Sequence, residues 1–386
     1  MFEKLLSELA TQHLIRHLQP LESGIGPVVR IAGREVLLFA SNDYLGLAYH
    51  PDVVRAASQA TQTYGAGSGA ARLISGSLPP HMEMEQSLAR FKRTEAALTF
   101  GSGYLANIGT IPALIGRSGL ILADQLCHAS LIDGSRLSGA DFRIYRHNDM
   151  EHLESLLSKR RLGRRTLIVT DGVFSMDGDL APLPKLSNLA QTYEADLYVD
   201  DAHGTGVMGS HGRGTAEHFD LEEAISLQMG TLGKALGSSG AYLAGPTHTI
   251  QYLLNTCRSF LFATAPPPGS AAAVVAAIQV IEREPERRTR LWTNREQLFT
   301  GLSRLGFTLA ASASPIIPIL VGQADVALHF AEQLLANGLF APAIRPPTVP
   351  EDTSRLRITV SSEHTATQID QALAAFERAG QAAGLL

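Results

Sequence analysis

In the segment TLGKALGSSGAYLAG (231–245), Lys234 is the only residue that carries a charge. A phosphate-binding P-loop would need a glycine six residues before the lysine and a serine or threonine directly after it. Those positions hold Gln228 and Ala235, so that motif is excluded. A lysine that forms an imine with an aldehyde must be partly neutral near neutral pH, which burial favours, and small neighbours leave the aldehyde room. The segment therefore predicts an imine-forming lysine.

A second segment, GTGVMG (204–209), matches the glycine pattern of dinucleotide-binding proteins. In that fingerprint the first glycine directly follows a strand, and a helix begins over the motif. Here DDAH lies between the apolar run and the glycines, and SHGRGTAEHF is a poor helix sequence. A nicotinamide-dependent oxidoreductase is thus an alternative of a different class, and a binding or scaffolding protein without a cofactor is another.

Five apolar runs without polar alternation each end in a small or polar cluster, as is typical of strands buried on both faces. Helical patterns such as MEHLESLLSKRR (150–161) separate them, so the sequence predicts an α/β fold with a mostly parallel central sheet. Ligands of such sheets bind beyond the carboxyl ends of the strands. The runs are AALTFGSGY (96–104), GLILADQLCHAS (119–130), TLIVTDGVFSMDG (166–178), DLYVDDAHGTG (196–206) and ISLQMGTLGKALG (225–237). Their carboxyl ends supply Gly103, His128, Ser175, Asp200, His203 and Lys234.

These strand ends offer the parts that pyridoxal 5'-phosphate (PLP) needs besides a lysine: a carboxylate for the pyridine nitrogen, a phosphate cradle and a stacking group. Asp200 ends an apolar run, where burying an unpaired carboxylate costs free energy and a protonated ring nitrogen would pair with it. Neighbouring Asp201 is the better candidate for a helix cap or core salt bridge. His203, three residues on, can reach the ring's phenolic oxygen. SGYLANIGT (102–110) opens a helix whose N–H groups can face a phosphate. His128 can stack on the ring, although a lone histidine is more often structural.

Three arginines near the C-terminus are candidates to bind a substrate carboxylate with paired hydrogen bonds. Arg345 lies in AIRPPTVP (343–350), and Arg355 and Arg357 lie in SRLRITV (354–360). Arg355 and Arg357 point to the same side of a strand, so spacing does not choose between them. Surface arginines in ion pairs are an equally good interpretation of these positions.

Composition excludes several other classes of protein. The 386-residue chain has a net charge of −5 and no block of like charges, which argues against a nucleic-acid or anionic-membrane surface. The longest apolar run, SAAAVVAAI (270–278), is far shorter than the roughly 20 residues of a membrane span. Only Cys127 and Cys257 are present, without CxxC or HExxH, which predicts a reduced cytoplasmic setting and no metal site.

The predicted organisation has three parts. An N-terminal helix or arm (1–40) has Phe2, Leu5, Leu6 and Leu9 on one helical face, typical of an amphipathic helix that lies on a body or a partner. A large domain (41–285) holds the parallel sheet. A charged helical stretch then leads into a small C-terminal α+β domain (286–386), whose last helix begins at a Thr365–Gln368 capping box and ends at a glycine.

Several segments together resemble the α-oxoamine synthases, from about residue 35 to the C-terminus. The resemblance implies a PLP-dependent acyltransferase of fold type I (the aspartate aminotransferase fold), which acts as a homodimer with its active site at the subunit interface. The segments are SNDYLGL (41–47), GSGYLAN (101–107), HAS (128–130), FSMDGDLAPL (174–183), DDAHGTGVMG (200–209) and TLGKALGSSGAYLAG (231–245).

The resemblance also implies roles for the residues that would hold the cofactor. Lys234 matches the imine-forming lysine, Asp200 the partner of the pyridine nitrogen and His128 the stacking histidine. Ser175 and His203 match groups near the phenolic oxygen. Lys234, His128, Asp200 and His203 are the predicted catalytic residues.

The phosphate cradle and the substrate region follow from the same resemblance. The main-chain N–H groups of Gly103 and Tyr104, together with Thr231, match the phosphate cradle, and Thr264 matches a residue that reaches the phosphate from the neighbouring subunit. The residues that match the substrate region are Arg357, which would hold an amino-acid carboxylate, Asn42, Arg345 and, near the acyl chain, Arg16.

Within the family, AIRPPTVPEDTSRLRITVS (343–361) and FATAPPP (262–268) are most similar to the biotin-pathway member. That member condenses L-alanine with a pimeloyl thioester, carried on CoA or on an acyl carrier protein. Glycine C-acetyltransferase, 5-aminolevulinate synthase and serine palmitoyltransferase share the catalytic parts and differ in substrate. They remain alternatives because pocket shape is not readable from the sequence.

Overall fold

The β-strands follow the apolar runs of the sequence. The computed structural model describes residues 2–386; Met1, the first residue of the predicted arm, lies outside the described residues. The strands are β1 (Val28–Ile31), β2 (Arg34–Leu38), β3 (Ala96–Phe100), β4 (Leu120–Asp124), β5 (Asp141–Tyr145), β6 (Thr166–Asp171), β7 (Asp196–Asp200), β8 (Leu227–Thr231), β9 (Ala241–Gly245), β10 (Ile316–Gly322), β11 (Leu339–Phe340), β12 (Ala343–Ile344) and β13 (Ser354–Thr359).

The helices connect these strands, and a π-helical turn spans Arg72–Gly76. The α-helices are α1 (Phe2–Thr11), α2 (Pro51–Tyr64), α3 (Pro79–Lys92), α4 (Gly103–Leu114), α5 (Ala129–Leu137), α6 (Met150–Ser158), α7 (Leu183–Thr192), α8 (Thr215–His218), α9 (Thr247–Thr256), α10 (Arg258–Leu261), α11 (Pro268–Arg283), α12 (Glu286–Leu305), α13 (Ala324–Ala336) and α14 (Ala366–Ala382).

The chain divides into two compact units. The sheet unit comprises residues 50–175 and 180–285, and the terminal unit comprises residues 2–49, 176–179 and 286–386. The predicted boundaries at residues 40 and 285 stay a prediction.

The sheet unit is built on a seven-stranded sheet with the order β3-β9-β8-β7-β6-β4-β5. All five predicted strands are present and run in the same direction. Strands β4, β6, β7 and β8 pair in parallel. Strand β3 is parallel to β8 because β9 lies between them and is antiparallel to both. The sequence did not predict β5, a partly exposed edge strand, or β9, which runs antiparallel to its neighbours. The fold is therefore α/β with a mostly parallel sheet, as predicted.

Helices cover both faces of this sheet. Successive strand residues point to opposite faces, so Ile121 packs in one apolar cluster, with α4, α5 and α9, while Leu122 packs in the other, with α6 and α7. Burial on both faces explains why the strands are apolar throughout, and it leaves the strand ends as the place for polar side chains.

The terminal unit holds two small sheets, β1-β2-β11 and β10-β13-β12, together with α12, α13 and α14. The predicted capping box is present: Gln368 N donates to Thr365 Oγ1 at 3.2 Å, and Thr365 N donates to Gln368 Oε1 at 2.9 Å. The expected end of this helix at Gly380 is wrong, because α14 continues to Ala382. A Cβ at Gly380 would lie 2.6 Å from the Phe307 ring, so close packing accounts for this glycine.

Helix α1 forms where the sequence predicts it, and none of its residues is buried. Its apolar residues Phe2 and Leu6 are more than half exposed, at 76% and 54%. None of the helices described between residues 2 and 386 combines the length and apolar character needed to cross a membrane.

Candidate active site

Polar side chains gather at the carboxyl ends of β4, β6, β7 and β8, which are neighbours in the sheet. Asp200 is the last residue of β7 and lies in register with Asp171, the last residue of β6. His128 follows β4, and Lys234 follows β8. Because parallel strands end at one edge, residues far apart in the sequence meet there. We refer to Lys234, Asp200, His128 and His203 as the cofactor cluster.

Lys234 lies in a loop that main-chain hydrogen bonds close upon itself. Ser238 N donates to Leu232 O at 2.9 Å, and Gly237 N donates to Lys234 O at 2.8 Å. The lysine is half-buried, and its Nζ lies 2.9 Å from Nε2 of His203. The loop thus holds the amine against a buried imidazole.

Asp200 is buried, with 3% of its surface exposed. Its Oδ2 accepts a hydrogen bond from Asn107 Nδ2 at 2.8 Å, and its Oδ1 accepts one from Ala202 N at 3.1 Å. Burial raises the pKa of Asp200, the charge of Lys234 and the Asn107 bond lower it, and the net pKa is above its ordinary value. A cationic group placed against this carboxylate would therefore be strongly held.

His128 is the N-cap of α5, where its Nδ1 accepts from Ser130 N at 3.3 Å and lies 2.7 Å from Ser130 Oγ. Its main-chain N donates to Asp171 Oδ2 at 2.9 Å. Desolvation lowers the pKa of His128 overall, although the nearby Asp200 carboxylate raises it. The residue is nevertheless exposed, so a face of its ring is available to a ligand.

Asn107 is a site residue that sequence reasoning missed. It is fully buried on α4, donates to both Asp200 and Ser130 Oγ at 2.8 Å, and accepts from the Tyr198 hydroxyl at 2.8 Å. It lies inside GSGYLAN, but nothing local distinguishes it from other helical residues. Through Ser130 it links Asp200 to the hydrogen bonds of His128.

Gly103 and Tyr104 of the predicted phosphate cradle lie at the beginning of α4. Ser102 is its N-cap, and Ser102 Oγ accepts from Leu105 N at 3.2 Å. The N–H groups of Gly103 and Tyr104 have no acceptor within the helix, and the helix dipole favours an anion there. Thr231 ends β8, and its Oγ1 donates to Gly240 O at 3.1 Å.

Two other predicted cofactor residues occupy different surroundings. Ser175 is half-buried and lies four residues beyond the end of β6. Thr264 is exposed and forms an antiparallel bridge with Ala71. An exposed side chain is what a contact to a neighbouring subunit would require.

The dinucleotide interpretation of GTGVMG is wrong. The segment forms turns, in which Val207 N and Met208 N donate to Gly204 O at 2.9 and 2.8 Å. The next helix, α8, begins only at Thr215 and has four residues. No helix N-terminus therefore stands over these glycines to receive a pyrophosphate.

Strand spacing does not choose between Arg355 and Arg357, but their hydrogen-bond partners within the terminal unit differ. Arg355 Nη1 lies 2.6 Å from Asp177 Oδ1, so the charge of Arg355 is engaged in an ion pair. Arg357 donates to the neutral oxygens Asn42 Oδ1 and Tyr44 Oη at 3.1 and 3.3 Å. Both arginines are buried. The ion pair of Arg355 with Asp177 therefore weighs against Arg355 as the residue that binds a substrate carboxylate.

Arg345 and Arg16 tie the N-terminal segment to the loop after β12. Arg345 donates to His13 O and to Ile15 O, the second at 3.3 Å. Arg16 is exposed and donates to Pro346 O at 2.8 Å. Burial and the charge of Arg16 lower the pKa of Arg345.

The sheet unit fits PLP in the chemistry of its donors. Lys234 supplies an amine, Asp200 a buried carboxylate, and α4 an anion-binding N-terminus. Gly233, beside the lysine, is exposed, and a Cβ added there would make only ordinary contacts, the shortest to Ser238 O at 3.4 Å.

Comparison with known proteins decides the family. The model of the aminotransferase class I and II family matches residues 34–376. A curated 8-amino-7-oxononanoate synthase from Geobacter sulfurreducens is 49% identical over 99% of this chain and 98% of its own length. The chain belongs to the α-oxoamine synthases of the class I and II aminotransferases. Another relative, 8-amino-7-oxononanoate synthase 1 of Bacillus subtilis, is 45% identical over 99% of this chain and 97% of its own.

Solved structures agree with this assignment. A serine palmitoyltransferase from S. paucimobilis, determined with a bound PLP–myriocin aldimine, has a TM-score of 0.96 and 32% identity, covering 100% of this chain and 98% of its own. An 8-amino-7-oxononanoate synthase from Francisella tularensis has a TM-score of 0.77 and 28% identity, covering 90% of this chain and 98% of its own. This α-oxoamine synthase is therefore a PLP-dependent acyltransferase of fold type I, which confirms the predicted family, fold and cofactor.

Proposed function

We propose that this chain catalyses the decarboxylative condensation of L-alanine with a pimeloyl thioester, which is the 8-amino-7-oxononanoate synthase reaction of biotin biosynthesis. The observation that carries the proposal is the similarity, at 45–50% identity over nearly the whole chain, to curated proteins of that name. The reaction joins the alanine α-carbon to the pimeloyl carbonyl carbon and releases carbon dioxide and the thiol of the acyl carrier.

The cofactor cluster supplies the proton transfers. Bound PLP provides an electron sink for the charge that develops at the α-carbon of the amino acid. Asp200, whose pKa burial raises and the Lys234 charge and the Asn107 hydrogen bond lower in part, would pair with the protonated pyridine nitrogen. The amine of Lys234 removes the α-proton, and His203, 2.9 Å from that amine, orients it. His128 presents its ring to the cofactor, with Nδ1 held by Ser130.

Substrate groups are assigned to the terminal unit. Arg357 binds the carboxylate of L-alanine with two N–H groups, and Asn42 orients the guanidinium by accepting from Nη1 at 3.1 Å. Arg345 lies in the substrate region and Arg16 acts near the acyl chain, and their hydrogen bonds also hold residues 13–16 in place.

The remaining parts of the proposal concern the cradle, the partner and the acyl donor. Gly103, Tyr104 and Thr231 hold the phosphate, and Ser175 lies near the phenolic oxygen. The chain acts as a homodimer in which exposed Thr264 reaches the phosphate of the neighbouring subunit. The pimeloyl group arrives on CoA or on an acyl carrier protein, and a cytoplasmic setting stays a prediction.

The test is thiol release from pimeloyl-CoA by the PLP-loaded protein, with L-alanine, glycine and L-serine in parallel reactions and Lys234→Ala as the matched control. Mass spectrometry of the product accompanies each reaction. We expect release with L-alanine, a product of the mass of 8-amino-7-oxononanoate, and no release by the variant.

Other outcomes redirect the proposal. Release with glycine or L-serine in preference to alanine would replace it with another α-oxoamine synthase reaction, which the 32% identity to serine palmitoyltransferase makes the second candidate. Release with none of the three amino acids from either CoA or carrier-protein thioesters would contradict it.

A further inference from the structure

The sheet unit contains a second lysine, which lies away from solvent altogether. Lys92 is the last residue of α3, and its side chain is 0% exposed. Its Nζ lies 3.0 Å from Asp201 Oδ2 and donates to Arg213 O, and nearby Tyr242 raises its pKa. A buried ammonium is costly unless partners satisfy it, and here a carboxylate and a main-chain carbonyl hold it at one point.

Asp201, the partner of Lys92, directly follows Asp200. Its Oδ1 accepts from Thr215 Oγ1 at 2.8 Å and from Thr215 N at 3.1 Å. A Cβ at Gly204 or at Gly214 would lie 2.0 or 1.7 Å from its carboxylate oxygens, so main chain closes over the group on two sides. We refer to Lys92, Asp201, Thr215 and Tyr242 as the Asp201 cage.

The cage is connected through the main chain to the cofactor cluster. Asp201 O accepts from Gly204 N at 3.1 Å and from Thr205 N at 2.9 Å, which closes a turn around His203. On the other side, Asp200 Oδ1 accepts from Ala202 N at 3.1 Å. A displacement of Asp201 therefore moves both the carboxylate and the imidazole that face Lys234.

Tyr242 makes a second connection, on β9. Its hydroxyl lies 2.8 Å from Thr205 Oγ1, within the same turn. A Cβ at Gly230 would lie 2.5 Å from that hydroxyl, so the ring lies directly against β8 one residue before Thr231. The cage thus touches the strand that leads into the Lys234 loop as well as the turn that carries His203.

We infer that Lys92 is a positioning residue for the cofactor site: its buried ion pair with Asp201 fixes the turn that presents Asp200 and His203 to Lys234. Burial lowers the pKa of Lys92, but Tyr242 and the Asp201 carboxylate raise it, and the net pKa is above its ordinary value. The inference depends on PLP dependence and not on which amino acid or thioester the chain uses.

The experiment compares Lys92→Met with a core variant that is only destabilising. Leu157→Ala serves as that control, since Leu157 is fully buried on α6, which packs against α7 and β5. Amide hydrogen exchange of residues 201–209 is measured in the cofactor-free proteins, and the pH midpoint of the visible absorption band is measured after PLP is added. The double variant Lys92→Met/Asp201→Asn removes both charges, and it replaces Lys92→Met in these measurements if the single variant does not fold.

We expect Lys92→Met to speed exchange in residues 201–209, to shift the pH midpoint of the band, and to lower kcat about 100-fold, the cost typical of a small misplacement of a catalytic group. Leu157→Ala should lower the melting temperature about as much as Lys92→Met does. It should leave amide exchange in residues 201–209 and the pH midpoint of the absorption band unchanged. If the Lys92 variants match Leu157→Ala in all three readouts, or if neither Lys92 variant folds, the inference is overturned. Failure of the proposed function alone would leave the exchange and absorption results intact.

Discussion

Asp200 and Asp201 are consecutive residues at the end of one strand, and they are used in opposite ways. Asp201 is surrounded by a lysine ammonium, a threonine N–H and hydroxyl, and two close glycines. Asp200 accepts from one amide side chain and one main-chain N–H, beside the half-buried Lys234. Protein groups therefore enclose the carboxylate of Asp201, whereas Asp200, which we propose as the partner of the cofactor, accepts fewer hydrogen bonds.

The terminal unit repeats the contrast with two arginines of one strand. Arg355 has an ion pair with Asp177 at 2.6 Å, whereas Arg357 bonds the neutral oxygens of Asn42 and Tyr44. The ion pair occupies the guanidinium of Arg355, and we propose Arg357 as the arginine that binds the amino-acid carboxylate. Substitutions in each pair should therefore separate activity from stability.

The largest effect is expected at Lys234. Lys234→Ala removes both the imine-forming amine and the base, so turnover should fall at least about 10⁴-fold. The melting temperature should change little, because the side chain is half-buried in a loop held by its main chain. Thiol release and calorimetry check these expectations; substantial residual turnover would refute the assignment of the base.

The next largest effect separates the two aspartates. Asp200→Asn should lower kcat about 10³-fold, since it removes the charge that faces the cofactor, and should not destabilise the cofactor-free protein. Burial raises the pKa of Asp200, so its ionised form costs stability above its ordinary pKa, and a neutral side chain removes that cost.

Asp201→Asn, in contrast, should destabilise the cofactor-free protein. It leaves Lys92 buried without its carboxylate, which costs about 3–5 kcal/mol and lowers the melting temperature by about 10 °C. Thermal unfolding of both cofactor-free variants checks the pair. Equal destabilisation by the two substitutions would contradict the contrast drawn between them.

A smaller effect is expected for the arginines. Arg357→Lys loses the paired N–H geometry, worth about 2 kcal/mol, and should raise the KM for L-alanine about 30-fold. Arg355→Lys, the matched control, keeps a charge for Asp177 and should leave that KM within about twofold. Steady-state kinetics with varied alanine decides between them, and a larger rise for Arg355→Lys would reverse the assignment.

The smallest effect concerns pH. Asn107→Leu removes a hydrogen bond that lowers the pKa of Asp200, so that pKa should rise further. PLP binding that depends on the ionised carboxylate is lost as the pH falls, and this loss should move to higher pH in the variant. Titration of PLP affinity against pH measures it, and a profile that the substitution leaves unchanged would contradict the role given to Asn107.

The sequence predicted the cofactor cluster because each member directly follows an apolar run or lies within a few residues of one. The sequence predicted a helix cap or a core salt bridge for Asp201, and the buried ion pair with Lys92 confirms the second of these. The family followed from motifs such as DDAHGTG and TLGKALG, whose residues are local in the chain.

Residues that act across long separations were not predictable. Asn107 reaches Asp200 across 93 residues, and Lys92 reaches Asp201 across 109. Lys92 is the last residue of α3, where a lysine normally lies on the surface, and only tertiary packing reveals its burial. Strand β5 was missed because its exposed edge residues break the apolar pattern.

The most direct test of the central claim asks which lysine carries the cofactor. The PLP-loaded protein is reduced with borohydride and digested, and its peptides are mapped by mass spectrometry. We predict a phosphopyridoxyl group on Lys234 and none on the buried Lys92. A modified lysine elsewhere, or no modified lysine at all, would contradict the assignment of Lys234. It would also contradict the contrast between the cofactor cluster and the buried ion pair of Lys92 with Asp201.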